Sequence, residues 1–384
     1  MYNLKEGILI IALLFQVCLT VAQEDKIKLA DSLSAVGKQK NAIQLLEDIQ
    51  PKTDNIYLKL AKNQRAEGLT EEALQSYAKV LAKNPDRVLT AIDYGELLIE
   101  TGRLVKADSL FNDLIVKYPD NANFRYRMGL IKEKQHDKMA EYFYYRAIAL
   151  DSTHQAAIYK IVKTQLKRKQ FSNAIELSNL GLDTNPNNVS LLSVLGQAYS
   201  ASSQYEKAIP VYEKLLSLGQ ESAFIYDRLG FAYYRTDDLA KAAENFKSSL
   251  DIEDRNSATH YNLGKIYNQM GDLKKAEQHL LMSILIKKQP VDAEFLSLGL
   301  NYKDQKDYKK AMEYFELALE ENPDNERALL ERAIAADAYF KNKRSVLSYY
   351  HKYLDKYETI GNEQMIAMAE YRISELKKEI HLAE

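Results

Sequence analysis

The chain contains no tryptophan, seven prolines and a single cysteine among its 384 residues. The cysteine, Cys18, lies in an apolar segment at the amino terminus, so neither a disulfide framework nor a thiol nucleophile has a candidate in the rest of the chain. An excess of charge of one sign is also missing, because 52 basic residues face 54 acidic ones and the net charge is −2. The composition therefore gives no reason to expect a nucleic acid or an anionic membrane as partner.

Arrangements of side chains that carry out chemistry are missing as well. No two of the six histidines stand three or four residues apart, the spacing that places two metal ligands on one face of a helix. No glycine-rich loop follows a strand to cradle a phosphate, and no Ser-His-acid cluster is visible. We interpret His260 and His279 as solvated surface residues. The sequence therefore predicts a protein that is not an enzyme and has no metal and no small-molecule cofactor.

Residues 1–22 have the pattern of a secretory signal peptide. Lys5 precedes an apolar run from Ile8 to Leu19, and Thr20-Val21-Ala22 places small residues where a signal peptidase reads them. The run has 12 residues, fewer than the roughly 20 that a membrane-spanning helix needs. Cleavage after Ala22 would leave an exported chain without a thiol, which we place in the periplasm. The alternatives are an uncleaved membrane anchor, a lipoprotein acylated at Cys18, and a secreted chain.

From Asn55 onward the sequence repeats with a period of 34 residues, apart from single steps of 33 and 35. Small residues return to two slots of this period. The glycine slot holds Gly95, Gly129, Val162, Gly196, Gly230, Gly264 and Gly299, and the alanine slot holds Ala73, Ala107, Ala140, Ala174, Ala208, Ala242, Ala276 and Ala311. A period this strict indicates a solenoid, in which each unit buries its apolar face against its neighbours.

Each unit has the pattern of two helices. In residues 88–121 the first half carries apolar side chains at helical intervals and stops at Gly102. The second half carries Ala107, Phe111 and further apolar residues on one face, and a proline ends it. We expect Gly95 and Ala107 to lie where the two helices cross. Their small side chains would let the helix axes approach, while Phe111 fills the adjacent space.

The pattern resembles the tetratricopeptide repeat, whose first helix carries Leu-Gly-x-x-Tyr. Four units carry this motif, and later slots of the signature are also filled: Leu195-Gly196 with Tyr199, Leu229-Gly230 with Tyr233, Leu263-Gly264 with Tyr267, Leu298-Gly299 with Tyr302, then Phe246, Phe315, Ala318 and Pro323. The resemblance implies an all-α fold, a right-handed superhelical α-solenoid of about ten helix-turn-helix hairpins over residues 23–359. We place the units at 23–53, 54–87, 88–121, 122–154, 155–188, 189–222, 223–256, 257–291, 292–325 and 326–359.

The pattern weakens toward the carboxyl terminus. In the last unit Arg332-Ala333 replaces Leu-Gly, and Ser345 replaces the alanine. Residues 360–384 follow as a predicted C-terminal capping helix, because a solenoid needs a cover over its final apolar face. Its predicted inward residues are Ile366, Ala369, Ile373 and Leu376, and its predicted outward residues are Glu370, Lys377 and Lys378.

In the family that this pattern resembles, the first helices of successive units line a concave channel. The inward residues stand at the second, fifth, sixth, ninth, twelfth and thirteenth places of each unit. Applied to this sequence, these places give an acidic patch in unit 88–121 and a basic, aromatic region in the middle of the channel. The resemblance implies partner-binding residues at Tyr126, Arg127, Lys134, Tyr159, Lys160, Lys163, Lys167, Arg228, Tyr234, Arg235, Tyr261, Asn262 and Lys265.

The stretch from Ser152 to Ile175 contains five lysines and arginines and no acidic residue. Such a run is commonly a solvated helix face. The alternative is that Lys160, Lys163 and Lys167, at intervals of three and four, form one stripe that points into the channel. That stripe would attract an acidic peptide, a carboxylate terminus or an anionic glycan, and neighbouring tyrosines would offer flat surfaces to it.

The sequence therefore predicts a non-catalytic scaffold that binds a protein or peptide partner, an acidic one among the options, in the concave channel. No nucleic acid is implied, and a membrane is implied only if residues 1–22 stay attached. Two other functions remain open. One is an envelope glycan-binding or cell-surface assembly factor, and the other is a membrane-anchored accessory of an enzyme or secretion complex.

Overall fold

The computed structural model describes residues 23–287 and 290–382, and every regular element in these ranges is a helix. The predicted signal peptide, residues 1–22, lies outside the described residues. The chain divides into two compact units, an amino-terminal unit that ends at Thr164 and a carboxy-terminal unit that begins at Gln165. Within the described ranges, no helix has both the length and the apolar character that crossing a bilayer requires.

The helices follow one another in pairs. The amino-terminal unit contains α1 (23–35), α2 (Gln39–Glu47), α3 (Asp54–Ala66), α4 (Thr70–Lys83), α5 (Val88–Glu100), α6 (Leu104–Lys117), α7 (Ala122–Lys134) and α8 (Met139–Leu150). The division between the units falls within α9 (Gln155–Lys167). The carboxy-terminal unit continues with α10 (Phe171–Thr184), α11 (Val189–Ala201), α12 (Tyr205–Ser217), α13 (Ala223–Arg235), α14 (Leu239–Ile252), α15 (Ser257–Gln269), α16 (Leu273–Ile286), α17 (Asp292–Asp304), α18 (Tyr308–Glu321), α19 (Glu326–Tyr339), α20 (Lys343–Tyr357) and α21 (Glu363–Leu382).

Polar side chains set where many of these helices begin. Asn256 accepts hydrogen bonds from the backbone amides of Ala258 and Thr259 at the start of α15, and asparagines cap several other first helices in the same way. Second helices use aspartate instead, at Asp238, Asp272 and Asp307. Each cap satisfies an amide that the helix itself leaves unpaired, so the repeat of capping residues fixes the repeat of helix starts.

The glycine slot lies where the two helices of a hairpin cross. A Cβ atom built on Gly95 would lie 2.6 Å from Cε2 of Phe111. A Cβ atom on Gly129 would lie 2.5 Å from Cε1 of Tyr144. Ala107, in the alanine slot, is fully buried. The structure thus confirms the predicted crossing. The ring from the second helix lies so close to the glycine that no side chain would fit between them.

The turn inside successive hairpins contains one residue with a positive φ angle. Glycine occupies this position in some hairpins, but side chains that disfavour the left-handed region occupy it in others. The glycines are Gly37, Gly68, Gly102 and Gly271, and the non-glycine residues are His136, Lys169, Ser203, Asp237 and Lys306. The hairpin geometry therefore imposes this conformation whatever residue stands there.

The array ends with α21, which packs on the last hairpin. Ala369, Ile373 and Leu376 are buried in one cluster with Tyr350 and Tyr353 of α20. The residues predicted to point outward are exposed. An array of helical hairpins followed by a covering helix confirms the predicted all-α solenoid class.

Candidate functional site

A cavity of about 480 Å³ opens among α13, α15, α17 and α19, the first helices of four successive hairpins of the carboxy-terminal unit. We call it the Lys265 cavity. Tyr234, Tyr261 and Lys265, three of the residues predicted from the sequence, line it together with Lys303 and Glu331. Its volume falls in the range of roughly 300–1,000 Å³ that is usual for ligand sites.

The lining of the Lys265 cavity follows the places expected for inward residues. The fifth place supplies Tyr261 and Leu296, the ninth place Lys265 and Leu300, and the twelfth place Tyr234, Asn268 and Lys303. The same face of each first helix thus turns toward one cavity, because consecutive hairpins repeat the same orientation.

The ammonium group of Lys265 is held by aromatic rings. Its Nζ lies 5.3 Å from the ring centroid of Tyr234 and 5.5 Å from that of Tyr261. Among the residues that the structure describes, no carboxylate oxygen comes within the 4.0 Å of an ion pair with it. The rings stabilise the cation through their negative faces but leave its charge without a counter-ion.

A network of amides holds one polar wall of this cavity, which Asn268 and Asp304 form. Asn301 is fully buried and donates to Oδ1 of Asn268 at 2.6 Å and to the carbonyl of Leu273 at 3.2 Å. Asn268 in turn donates to Asp304 at 2.9 Å, and Gln305 donates to Asn301 at 2.6 Å. Since every member holds the next, the wall is already ordered before a ligand arrives.

Two carboxylates line the cavity: that of Glu331 is already paired with cations, and that of Asp304 accepts a hydrogen bond from Asn268. Lys303 contacts Glu331 at 2.6 Å, and the Glu331 side chain is only 12% exposed. Arg327 lies 3.9 Å from the same carboxylate and is more than half exposed. The cavity therefore presents Lys265 and Arg327 as its accessible cations.

Two further predicted residues on α13 are also held by rings. The guanidinium of Arg228 lies 5.1 Å from the ring centroid of Phe224. That of Arg235 lies 4.9 Å from the ring of Tyr205 and 5.9 Å from that of Phe231. Neither guanidinium forms an ion pair with a carboxylate in the described ranges. Arg228, Arg235 and Lys265 are thus three cations that rest on rings and have no carboxylate partner within the described residues.

The predicted residues of the amino-terminal unit have a different environment. Arg127 forms an ion pair with Glu96, and Lys160 forms one with Glu133 at 2.7 Å. Burial raises the pKa of Glu133, but hydrogen bonds from Lys160 and Tyr144 outweigh it and hold this pKa below its usual range. Lys160 is therefore not the free cation that the basic stretch suggested, because a carboxylate on α7 meets it.

The remaining predicted residues, in either unit, do not line the Lys265 cavity. Tyr126 packs against Tyr144 and His154, with ring centroids 5.9 Å and 4.9 Å apart. Nζ of Lys163 lies 5.5 Å from the ring of Tyr159. Lys134 and Lys167 are exposed at the ends of their helices, and Asn262 is half-buried on α15.

The interpretation of His260 and His279 as solvated surface residues is wrong. His260 is buried, and its Nδ1 lies 2.9 Å from Nδ1 of His279. Its Nε2 lies 3.1 Å from the carbonyl oxygen of Asp254, so Nε2 carries the proton and Nδ1 accepts from His279. His260 stands at the fourth place of its unit, where four other units hold the buried apolar residues Ala91, Ile158, Leu192 and Leu329. This place in the repeat was the sequence signal for its burial. No cluster of three or more potential metal ligands occurs in the described residues.

The histidine pair makes stability depend on pH. Burial, together with the nearby groups His260, Lys247 and Lys275, lowers the pKa of His279 to about 4. The unfolded chain takes up a proton near the ordinary pKa of about 6.5, whereas the folded chain does so only near 4. The contribution of His279 to the free energy of unfolding is thus complete above pH 6.5 and is lost as the pH falls toward 4.

We expect the urea midpoint of the parent chain to fall as the pH is lowered from 6.5 toward 4, and to fall less in His279→Gln. A control variant at the exposed turn residue, His136→Gln, should keep the full slope, and an equal slope in all three proteins would contradict the assignment.

Comparison with known proteins agrees with this architecture. Family models described as tetratricopeptide repeat match residues 64–128, 191–223, 257–289 and 294–325. The chain is a tetratricopeptide-repeat protein. No curated protein matches its sequence.

Several solved structures are similar to this tetratricopeptide-repeat chain. One is YrrB, described as a TPR protein with an unusual peptide-binding site, at 17% identity over 48% of this chain and 95% of that one, with a TM-score of 0.45. MamA shows 27% identity over 44% of this chain and 92% of its own, with a TM-score of 0.42. A tetratricopeptide repeat protein from Parabacteroides merdae shows 19% identity over 64% and 98%, with a TM-score of 0.44.

The tetratricopeptide-repeat register also explains which residues the sequence reasoning missed. Asn268, Lys303 and Arg327 line the Lys265 cavity but were not among the predicted site residues. They stand at the twelfth and second places of their units, which are among the inward places of the family. Applying the rule to every inward place of unit 257–291, and to units 292–325 and 326–359 as well, would have found them.

Proposed function

We propose that this tetratricopeptide-repeat protein is a scaffold without chemistry of its own, which binds an acidic segment of a protein partner at the Lys265 cavity. Repeats of this family form protein–protein interaction scaffolds. The observation that carries the proposal is that Lys265, which lines this cavity, rests on aromatic rings instead of a carboxylate. Arg228 and Arg235 of α13 rest on rings in the same way. A ligand that supplies carboxylates would provide the counter-ion that the described residues do not.

The energetics favour such a ligand. A carboxylate that reaches Nζ of Lys265 forms a charge-assisted hydrogen bond, which contributes about 1.5–3 kcal/mol. The hydroxyl of Tyr234 accepts a hydrogen bond from Gln269 at 3.4 Å, so its own proton remains available to the same carboxylate. The ordered amide wall around Asn301 reduces the entropy that the receptor loses on binding.

Selection of peptides from a random displayed library against residues 23–384 tests the proposal. We expect the enriched peptides to carry clustered aspartate and glutamate. Lys265→Ala should weaken their binding tenfold or more in fluorescence anisotropy, because losing about 1.5–3 kcal/mol corresponds to at least that factor. Binding should also weaken as salt is added, since screening reduces attraction between exposed charges.

Lys163→Ala is the matched control. Lys163 also rests on a tyrosine ring, that of Tyr159, but it lies in the amino-terminal unit and not at the Lys265 cavity. Its replacement should leave affinity unchanged. The proposal fails if Lys265→Ala binds as well as the parent chain, or if the chain selects no acidic peptide and binds a purified anionic glycan instead.

We also propose that the protein works in an exported compartment, the periplasm. The support is the sequence pattern of residues 1–22, with Lys5, the apolar run from Ile8 to Leu19, and small residues before Gln23. Mass spectrometry of the chain from its native cells should find Gln23 as the first residue. An intact Met1 would show instead that the segment stays attached.

A further inference from the structure

A second cavity, of about 270 Å³, borders α13 in the same carboxy-terminal unit. We call it the Phe231 cavity. Leu166, Phe171 and Phe231 supply apolar walls, and Arg228 stands at the same cavity. Helix α13 is common to both cavities, since Phe231 lines this one and Tyr234 lines the Lys265 cavity. The two residues are three positions apart and therefore neighbours on one helix face.

The polar groups of the Phe231 cavity already have partners, with one exception. Nε2 of Gln197 donates to the carbonyl of Ser193 at 3.1 Å. The hydroxyl of Ser200 forms a hydrogen bond of 3.3 Å with that of Tyr212. The exception is the guanidinium of Arg228, which rests on the ring of Phe224 without a carboxylate. The cavity thus offers apolar walls and one cation without a counter-ion, so it suits an apolar side chain that has an acidic neighbour.

Its size points to a side chain as the occupant. The volume is below the roughly 300–1,000 Å³ of sites that take a whole small-molecule ligand. An apolar side chain that leaves water for such a cavity contributes favourable free energy in proportion to the apolar area that it buries. The Phe231 cavity is therefore able to add a second, independent contribution to the binding of one segment.

The spacing between the two cavities sets the spacing within a ligand. Neighbouring packed helices lie about 8–10 Å apart. An extended peptide advances about 3.3 Å per residue. A peptide that crosses from one side of α13 to α15 therefore needs about three residues to do so.

We propose that the Phe231 cavity is a second subsite for the same acidic segment, and that it takes a leucine- or phenylalanine-sized side chain about three residues from the carboxylate at Lys265. This inference rests on the proposed function, because it assigns both subsites to one ligand. It goes further by stating the ligand's pattern: an apolar residue and an acidic residue at a fixed separation.

A double-mutant cycle between protein and peptide tests the second subsite. Ala201 lines the Phe231 cavity and is exposed at the end of α11, so Ala201→Phe fills the cavity without entering the core. Ala201→Ser, of similar size, is the control. The ligand is a library-selected acidic peptide, used intact and with its apolar residue replaced by alanine. We expect Ala201→Phe to weaken the intact peptide about tenfold, the peptide's alanine replacement to do the same, and the two changes together to add little more.

The outcomes separate this inference from the proposed function. If Ala201→Phe binds like the parent chain while Lys265→Ala does not, the second subsite is wrong and the acidic site stands. If Ala201→Phe weakens the binding of apolar peptides but Lys265→Ala weakens no binding, the proposed function is wrong. Even if Ala201→Phe fails to fold, alanine scanning of the peptide against the unmodified protein shows which apolar residue of the peptide contributes to binding. A scan without an apolar position about three residues from the acidic one overturns the inference.

Discussion

Gly95→Val is expected to lower the free energy of unfolding of the amino-terminal unit by about 3 kcal/mol, the upper end of the usual cost of overpacking a core. A Cβ atom at this position would lie 2.6 Å from Cε2 and 2.8 Å from Cζ of Phe111, and valine adds two methyl groups beyond it. Phe111 is fully buried and packs against Phe124, with ring centroids 6.3 Å apart, so its ring has no free space to enter. Urea unfolding followed by circular dichroism measures the loss. Hydrogen exchange of the α5 and α6 amides localises it, because a repeat array can unfold in parts.

The double variant Gly95→Val/Phe111→Ser is the control for this collision. In sequence the repeat at 155–188 holds Val162 in the glycine slot and Ser178 four residues after the alanine slot, so the two slots change together within this chain. Phe111→Ser alone should be strongly destabilising because it leaves a cavity. The double variant should be more stable than the sum of the two single effects by at least about 1 kcal/mol. If the two single losses of stability simply add in the double variant, the glycine is not there to make room for the ring of Phe111.

Lys287→Met is expected to cost about 3 kcal/mol in the carboxy-terminal unit. Nζ of Lys287 lies 2.9 Å and 3.1 Å from the two carboxylate oxygens of Glu294, whose side chain is only 4% exposed. Methionine keeps the apolar stem but leaves a buried carboxylate without its partner. Removing one member of a buried pair typically costs about 3–5 kcal/mol, and the lower end applies here because Lys287 is one-third exposed. Chemical denaturation at neutral pH gives the value.

Two variants show whether the loss comes from the unpaired charge. Lys287→Met/Glu294→Leu removes both charges and should recover most of the lost stability, since an apolar pair can replace a buried ion pair at little cost. Lys378→Met breaks an exposed pair with Glu375 and should leave the denaturation midpoint nearly unchanged. A Lys287→Met variant as stable as the parent, or a double variant no better than the single one, would contradict the explanation.

The repeat period was enough to predict the hairpins, because every hairpin has to satisfy the same helix crossing. Gly95, Ala107 and Phe111 were assigned to one crossing from their spacing, and the structure places the ring of Phe111 against the glycine. The register extended to surface positions too, since the fifth, ninth and twelfth places line the Lys265 cavity. Packing geometry is periodic, so the residues that satisfy it can be recognised in sequence.

Charge pairing is not periodic, and the sequence did not reveal it. Lys160 and Lys265 were both assigned to the channel by their place in the repeat. Lys160 meets Glu133 at 2.7 Å, whereas Lys265 meets two tyrosine rings. The two lysines differ in which side chain of the neighbouring first helix lies within a few ångströms of the ammonium group. The spacing of residues along the sequence does not contain that distance. The basic stretch around Lys160 therefore did not reveal that Lys160 itself meets a carboxylate.

The left-handed turn residues bear on how this chain has evolved. A non-glycine residue in that conformation costs about 1 kcal/mol relative to glycine, and the described hairpins carry five of them, His136, Lys169, Ser203, Asp237 and Lys306. The same stabilising replacement is therefore open at five equivalent sites and has been taken up at none of them. Because selection removes only variants that fall below the stability needed for function, five such turns can persist together, and glycine at each of them is expected to raise the thermal stability of the chain.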